Sequence, residues 1–239
     1  MPTRIALIHA VVPAMAPVIE TFRQQWPQAL LCNILDDSLS RDREDEGHLT
    51  PVMTGRIRVL ADYAAAGGAA GILFTCSAFG PAIAAAAAAL PIPVLKPNEA
   101  MFAAALQRGR RIGMLATFAP SVASMEEEFA QMAATAGVAA DIETHCVPDA
   151  MTALRAGDGA GHDRLLAEAA PRLAACDTVL LAHFSTSRAA AAVEAALGRP
   201  VLTAPGSAVT KLRTEVAAAA QSALQITRSA RSAAIAAAP

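Results

Sequence analysis

Eight short apolar runs alternate along the chain with longer, alanine-rich segments, and this alternation limits the possible folds more than any other feature of the sequence. Few polar residues interrupt the runs, which is typical of strands buried on both faces of a parallel sheet. We therefore predict an α/β fold in which helices connect parallel strands. The predicted strands span residues 4–10, 30–36, 70–76, 93–96, 111–117, 142–147, 178–184 and 200–203.

The two halves of the chain resemble each other at a constant offset. The segment RIALIHAVVP, which starts at Arg4, aligns with RIGMLATFAP, which starts at Arg111. The tripeptide PVL at Pro93 recurs at Pro200. Both matches give an offset of 107 residues (111 minus 4, and 200 minus 93). Two separate matches at one offset indicate a duplicated unit.

The offset predicts two pseudo-symmetric lobes, each a roughly four-stranded parallel sheet flanked by helices, with an active-site cleft between them. Residues 1–97 and 208–239 form the predicted lobe one, and residues 98–207 form lobe two. A lobe of this size is ordinary for a small parallel-sheet domain. The alanine-rich segment from residue 217 to the end predicts a final helix that packs on lobe one and frays at its end.

The same offset pairs Cys76 with His183 (183 minus 76). Each residue ends an apolar run, and each precedes small polar residues that lead into an alanine-rich segment. In parallel sheets, ligands bind at the carboxyl ends of the strands, beside helix N-termini that attract anions. We therefore predict that a thiol and an imidazole face each other across the cleft.

Composition excludes several classes of protein. The net charge is −2 and no basic run is present, which argues against a nucleic-acid surface. No apolar run has the length and flanks of a membrane span, and the N-terminal run fits a strand better than a signal peptide, so we expect a cytoplasmic protein. The four cysteines lack C-x-x-C spacing and are expected to be free thiols, and we predict no metal site.

The motifs FTCSAFG, around Cys76, and LLAHFSTS, around His183, resemble those of the aspartate/glutamate/hydantoin racemase superfamily, and in particular its arylmalonate decarboxylase and maleate isomerase branch. The resemblance covers nearly the whole chain. It implies that two lobes clamp a small carboxylate without a cofactor, and that a cysteine from each lobe flanks the substrate carbon. It also makes a homodimer the expected assembly. Here His183 stands where the second cysteine would be.

Removing a proton beside a carboxylate requires a base on one face, an acid on the other and fixed donors around the carboxylate. We predict that Cys76 and His183 are this acid/base pair and that they racemise or epimerise a small acid, such as an amino acid or a hydantoin. A helix start at Gly80 would lower the pKa of Cys76. The imidazole of His183 would titrate near neutral pH without special tuning.

Further polar residues at strand ends are candidates for binding the substrate. The predicted substrate-binding residues are His9, Ser77, Thr117, Ser185 and Thr186. Each also has a structural interpretation, since His9 fits a hydrogen-bonded strand end, and hydroxyl residues commonly cap helices. The charged segment 36–51 predicts a solvated loop or a lid that places Asp36 or Asp37 near the substrate.

Two other functions remain open at this point. One is decarboxylation of a disubstituted malonate, which needs a single proton donor. The decarboxylase branch has its single cysteine in the second lobe, the reverse of the arrangement here. The other is a non-catalytic protein that binds a small carboxylate and has lost catalysis with the change to His183.

Overall fold

A computed structural model describes the backbone of residues 3–236 and the side chains of residues 3–222 and 225. All eight predicted strands are present, and they form two four-stranded parallel sheets. The strands are β1 (Arg4–His9), β2 (Leu30–Leu35), β3 (Gly71–Phe74), β4 (Val94–Leu95), β5 (Arg111–Ala116), β6 (Asp141–Cys146), β7 (Thr178–Leu181) and β8 (Leu202–Thr203).

Helices cover both faces of the sheets, as the alanine-rich segments predict. They are α1 (Met15–Gln25), α2 (Ser38–Glu46), α3 (Pro51–Ala66), α4 (Gly80–Ala89), α5 (Glu99–Arg108), α6 (Val122–Thr135), α7 (Pro148–Arg155), α8 (Gly159–Ala169), α9 (Ala190–Leu197) and α10 (Ala204–Ala236). Short 3-10 turns at Ser77–Phe79 and Phe184–Ala189 precede α4 and α9. Within the described residues, no helix is both long enough and apolar enough to cross a bilayer.

The two sheets have the same topology. Their strand orders are β2-β1-β3-β4 and β6-β5-β7-β8. Their registers also agree, because Ile5 pairs with Gly71 in one lobe and Ile112 pairs with Thr178 in the other. In both cases the partner lies 66 residues further along (71 minus 5, and 178 minus 112). The prediction of two pseudo-symmetric α/β lobes is therefore confirmed.

The largest buried cluster lies between the two lobes and contains residues of both sheets, such as Leu7 and Met114, together with residues of α5, α6 and α10. Helix α10 packs on β3 through Leu212 and Val216. The predicted final helix is the continuation of α10, but residues 217–222 are exposed, so the packing on lobe one comes from the preceding turns. Residues 237–239, at the predicted frayed end, lie outside the described residues.

The charged segment 36–51 differs from the prediction of a loop, because it contains helix α2 and the start of α3. Helix α2 ends at Gly47, whose φ of +69° suits a residue without a side chain. Its inner face buries Leu39 and the long side chain of Arg43. Since Leu39 is the single large apolar residue of α2, the sequence shows no hydrophobic periodicity from which the helix could be predicted.

Candidate functional site

A small cavity lies between the lobes, beyond the carboxyl ends of β3 and β7. Its volume is about 30 Å³, which is room for one or two water molecules. A small carboxylate therefore enters only when the residues around the cavity move apart. The lining residues are Val11, Ala14, Ser40, Thr75, Cys76, Ser77, Phe118, Met151, Arg155, His183, Phe184 and Ser185.

Cys76 and His183 occupy equivalent positions in the two lobes. Each lies two residues beyond the end of its strand, and each immediately precedes a 3-10 turn. Both side chains line the cavity, as the offset predicts. Ser77, the residue after Cys76, places its Oγ 3.2 Å from His183 Nδ1 and so connects the lobes at this point.

Burial raises the pKa of the Cys76 thiol to about 11. The backbone N–H of Ala78 and the positive charge of Arg43 favour the thiolate, but they only partly offset the loss of hydration. The expectation that the following helix lowers the pKa of Cys76 is therefore wrong, because desolvation outweighs the amide. At neutral pH this residue is a neutral thiol and a proton donor.

Burial lowers the pKa of His183 to about 4, and the charge of the nearby His162 adds to the effect. The expectation that this imidazole titrates near neutral pH is wrong for the same physical reason, since the closed site disfavours the charged form of either group. At pH 7 the site therefore pairs a neutral thiol with a neutral imidazole.

Arg43 of α2 is a component of the site that the sequence did not reveal. Its side chain is buried, with its Nε 3.4 Å from the carbonyl of Ala78 and its Nη2 3.0 Å from the carbonyl of Pro120 in lobe two. Its third nitrogen, Nη1, is buried without a hydrogen-bond partner among the described residues. This cation acts on the Cys76 thiol. Because Arg43 lies in a run of charged residues, no sequence signal separates it from its exposed neighbours.

Two of the predicted substrate-binding residues, Ser77 and Ser185, line the cavity. Two others are buried beside it. The hydroxyl of Thr186 donates to the carbonyl of His183 at 2.7 Å, and the hydroxyl of Thr117 has no partner within the described part of the chain. The structure thus gives Thr186 a contact that holds the backbone of His183.

His9 is also buried outside the cavity lining. Its Nε2 is 3.0 Å from Asn33 Oδ1, and its Nδ1 is 2.9 Å from Thr75 Oγ1. Burial lowers the pKa of His9, so the ring is neutral, donates to the Asn33 oxygen and accepts from the Thr75 hydroxyl. Thr75 itself lines the cavity. The contacts of His9 therefore support a cavity residue from behind.

The remaining lining is mostly apolar and was not predicted. Val11, Phe118, Met151 and Phe184 contribute side chains from both lobes. Arg155 is the single arginine in the lining, and its Nη1 lies 3.5 Å from a carboxylate oxygen of Glu44 in α2. Sequence reasoning missed these residues because they lie in loops and helices whose place beside the cleft depends on tertiary packing.

Asp36 lies away from the cavity lining, since its carboxylate accepts from Arg56 Nε at 3.1 Å. The cysteines other than Cys76 are also free and do not line the cavity. In the part of the chain that the structure describes, no three His, Cys, Asp or Glu side chains cluster as a metal site would require.

Comparisons with known proteins agree with this arrangement. The family described as Asp/Glu/Hydantoin racemase matches residues 37–212, which is more than half of the chain. No curated protein matches the sequence significantly.

Solved structures share the fold at low sequence identity. A glutamate racemase isoform from Bacillus anthracis superimposes with a TM-score of 0.68 at 18% identity, over 89% of this chain and 80% of that one. An allantoin racemase from Klebsiella pneumoniae gives 0.64 at 15% identity, over 90% and 88%. A Gly-to-Cys mutant of arylmalonate decarboxylase in the sulfate ion associated form gives 0.62 at 16% identity, over 90% and 93%.

Proposed function

Since the chain belongs to the Asp/Glu/Hydantoin racemase family, we propose that it racemises or epimerises a small carboxylate at the α-carbon, with Cys76 and His183 as the two acid/base groups. The observation that carries the proposal is that these two residues, one from each lobe, line a single cavity. A thiol and an imidazole that approach a carbon from opposite faces produce inversion of its configuration.

The resting protonation states define the first step. His183 is neutral and accepts the α-proton, while Cys76 is a neutral thiol and donates a proton to the opposite face. One C–H bond breaks and another forms, and the electron pair of the intermediate carbanion is held by the substrate carboxylate between these events. The turnover ends with an imidazolium and a thiolate, and the reverse reaction begins from that state.

The substrate's own charge assists this transfer. A carboxylate beside His183 favours the imidazolium and therefore raises the basicity of the ring. The hydroxyls of Ser77 and Ser185 are positioned to donate to the carboxylate as it gains charge. On the other face, the guanidinium of Arg43 stabilises the thiolate that Cys76 becomes. These steps use proton transfers between side chains of this chain alone.

Decarboxylation of a disubstituted malonate is the second candidate. It is favoured by the neutral thiol of Cys76, which can protonate a carbanion from one face, and by the largely apolar lining around it. In that reaction the C–C bond to one carboxylate breaks, carbon dioxide leaves and Cys76 supplies the proton. His183 would then have no part in the proton transfer.

The test is proton NMR in D2O with a panel of both enantiomers of aspartate and glutamate, 5-substituted hydantoins and phenylmalonate. We expect loss of the α-proton signal and interconversion of enantiomers for at least one chiral acid. The variants Cys76→Ala and His183→Asn should abolish both, whereas Cys32→Ala, which removes a thiol outside the cavity, should retain them.

Other outcomes identify the alternatives. Release of carbon dioxide from phenylmalonate without racemisation of any chiral acid would support the decarboxylase and overturn the racemase. If no compound reacts, and one of them raises the melting temperature of the wild type and of Cys76→Ala equally, the protein only binds carboxylates.

A further inference from the structure

His162 of α8 is a buried histidine that the proposed reaction does not use. Its side chain has no exposed surface, and its Nδ1 lies 2.7 Å from Asp163 Oδ1. The two oxygens of the same carboxylate lie 2.9 Å and 3.2 Å from Arg188 Nε, and Asp163 is partly exposed at the surface. The arginine keeps Asp163 ionised, so the carboxylate accepts the Nδ1–H of His162. This fixes the ring's other nitrogen, Nε2, as a hydrogen-bond acceptor.

Two buried imidazole nitrogens in this region have no partner among the described residues. They are Nε2 of His162 and Nε2 of His183. The helix that carries His162 packs against the 3-10 turn that His183 precedes, and the charge of His162 acts on His183. Buried polar atoms in proteins are nearly always paired, directly or through water. Two orphaned nitrogens on rings from adjacent elements therefore point to each other as partners.

The remaining contacts assign complementary tautomers to the two rings. Nδ1 of His183 lies beside the Ser77 hydroxyl at the cavity, so it is the nitrogen that faces the substrate. A neutral ring that acts as a base through Nδ1 carries its proton on Nε2. His183 then offers a donor where His162 offers an acceptor.

We propose that His162 and Asp163 form a proton relay that connects His183 to solvent. When Nδ1 of His183 accepts the α-proton, its Nε2–H passes to Nε2 of His162, directly or through one water. The Nδ1–H of His162 passes in turn to the Asp163 carboxylate, which releases it to solvent. A proton from water returns to the Cys76 thiolate as the product leaves, so the proton count of the site is restored.

The relay would serve a cycle whose two acid/base groups differ, and in this respect it rests on the proposed function. A turnover leaves an imidazolium and a thiolate, and both must be neutralised before the next substrate of the same configuration can react. Asp163 and Arg188 are the charged groups that act on the pKa of His162 within the described residues, and His162 is the one that acts on His183. Removing His162 leaves His183 with no other titratable route toward the surface among these groups.

The relay is tested without a substrate, by nitrogen-15 NMR of the histidine rings and by saturation transfer from water. We expect His162 to carry its proton on Nδ1 and His183 to carry its own on Nε2. In His162→Gln, whose amide can still donate to Asp163, exchange of the His183 ring proton with water should slow at least tenfold. Asp163→Asn should also slow it, and His48→Gln, which changes an exposed histidine, should not.

Structural damage is distinguishable from loss of the relay, because local opening would accelerate exchange. Unchanged or faster exchange in both His162→Gln and Asp163→Asn would overturn the proposal, as would a His183 ring protonated on Nδ1. If the exchange depends on His162 while no compound of the substrate panel loses its α-proton, the relay stands and the racemase proposal fails. If Cys76→Ala abolishes α-proton exchange while His162→Gln changes nothing, the relay alone fails.

Discussion

Ser77 Oγ lies 3.2 Å from His183 Nδ1, so a hydroxyl of one lobe contacts the proposed catalytic imidazole of the other. The two residues are 106 positions apart in the sequence. Their contact makes the orientation of the imidazole depend on both lobes. Ser77 therefore links closure of the cleft to the readiness of the base.

Replacing Ser77 with alanine should weaken the reaction without unfolding the protein. The imidazole loses the group that orients it, and the substrate carboxylate loses a donor, so we expect the rate of α-proton exchange to fall about tenfold, which corresponds to about 1.4 kcal/mol. Ser222→Ala, on the exposed part of α10, is the matched control. A Ser77→Ala rate equal to that of the control would show that the contact has no role in the reaction.

The pH dependence of Cys76 alkylation tests the charge of Arg43. Because burial raises the pKa of Cys76 to about 11, the thiolate fraction and the rate of modification by iodoacetamide should increase about tenfold per pH unit between pH 8 and 10. In Arg43→Met the stabilising cation is lost and the pKa rises further. The rate at pH 9 should therefore fall several-fold.

Arg43→Lys keeps the positive charge and serves as the control, and mass spectrometry identifies the modified cysteine. The lysine variant should remain closer to the wild type than the methionine variant does. A plateau of the wild-type rate below pH 9 would show that Cys76 is more acidic than its burial implies. Equal rates in all three proteins would remove Arg43 from the site.

The sequence was sufficient to predict the architecture because the signals that determine it are local. Each strand is an uninterrupted apolar run, and the offset of 107 residues between the lobes relates Cys76 to His183 through the sequence alone. The offset works because Ile5–Gly71 and Ile112–Thr178 keep the same register in the two sheets. Duplicated topology thus transfers directly into a prediction of which residues face each other.

Properties that depend on tertiary packing could not be predicted in this way. Arg43 reaches the site from a helix that shows no apolar periodicity, and His162 is buried by neighbours that are distant in sequence. The pKa values of Cys76 and His183 were expected near neutrality, but burial displaces them in opposite directions. The extent of desolvation is set by how closely the lobes approach, and a sequence pattern does not specify that.

Two glycines should respond oppositely to alanine. A Cβ at Gly71 of β3 would lie 2.7 Å from Val216 Cγ2 and 3.0 Å from Leu212 Cδ1, so Gly71→Ala must displace α10. We expect a loss of about 1–3 kcal/mol in the free energy of unfolding. Gly55 lies in the interior of α3, where a Cβ would have no neighbouring atom within 4 Å, so Gly55→Ala should gain about 0.5–1 kcal/mol.

Urea denaturation of the two alanine variants measures both effects. A neutral Gly71→Ala would mean that α10 is not closely packed on β3. The second lobe offers a parallel case, because a Cβ at Gly113 of β5 would lie 3.0 Å from Leu173 Cβ. Gly113→Ala should therefore also be destabilising, by an amount in the same range.

Asp177 should stabilise the fold in a pH-dependent manner. Its carboxylate accepts the backbone N–H groups of Arg110 and Arg111 at 2.8 and 2.9 Å, and these bonds lower its pKa from 3.8 to about 2. A carboxyl with a depressed folded-state pKa contributes its full stabilisation above the unfolded-state value and loses it as the pH falls. The contribution of Asp177 should thus be complete above pH 4 and should disappear as the pH approaches 2.

Urea midpoints of the wild type and Asp177→Asn, measured from pH 2 to 7, test this sign. The wild type should have the higher midpoint above pH 4, and the two curves should converge toward pH 2, where the wild-type carboxyl is protonated. Asp62→Asn removes an exposed carboxylate that is paired with Arg58 and should shift the midpoint less, because exposed ion pairs contribute little. A difference between wild type and Asp177→Asn that grew as the pH fell would contradict the predicted role, since protonation can only remove what the carboxylate contributes.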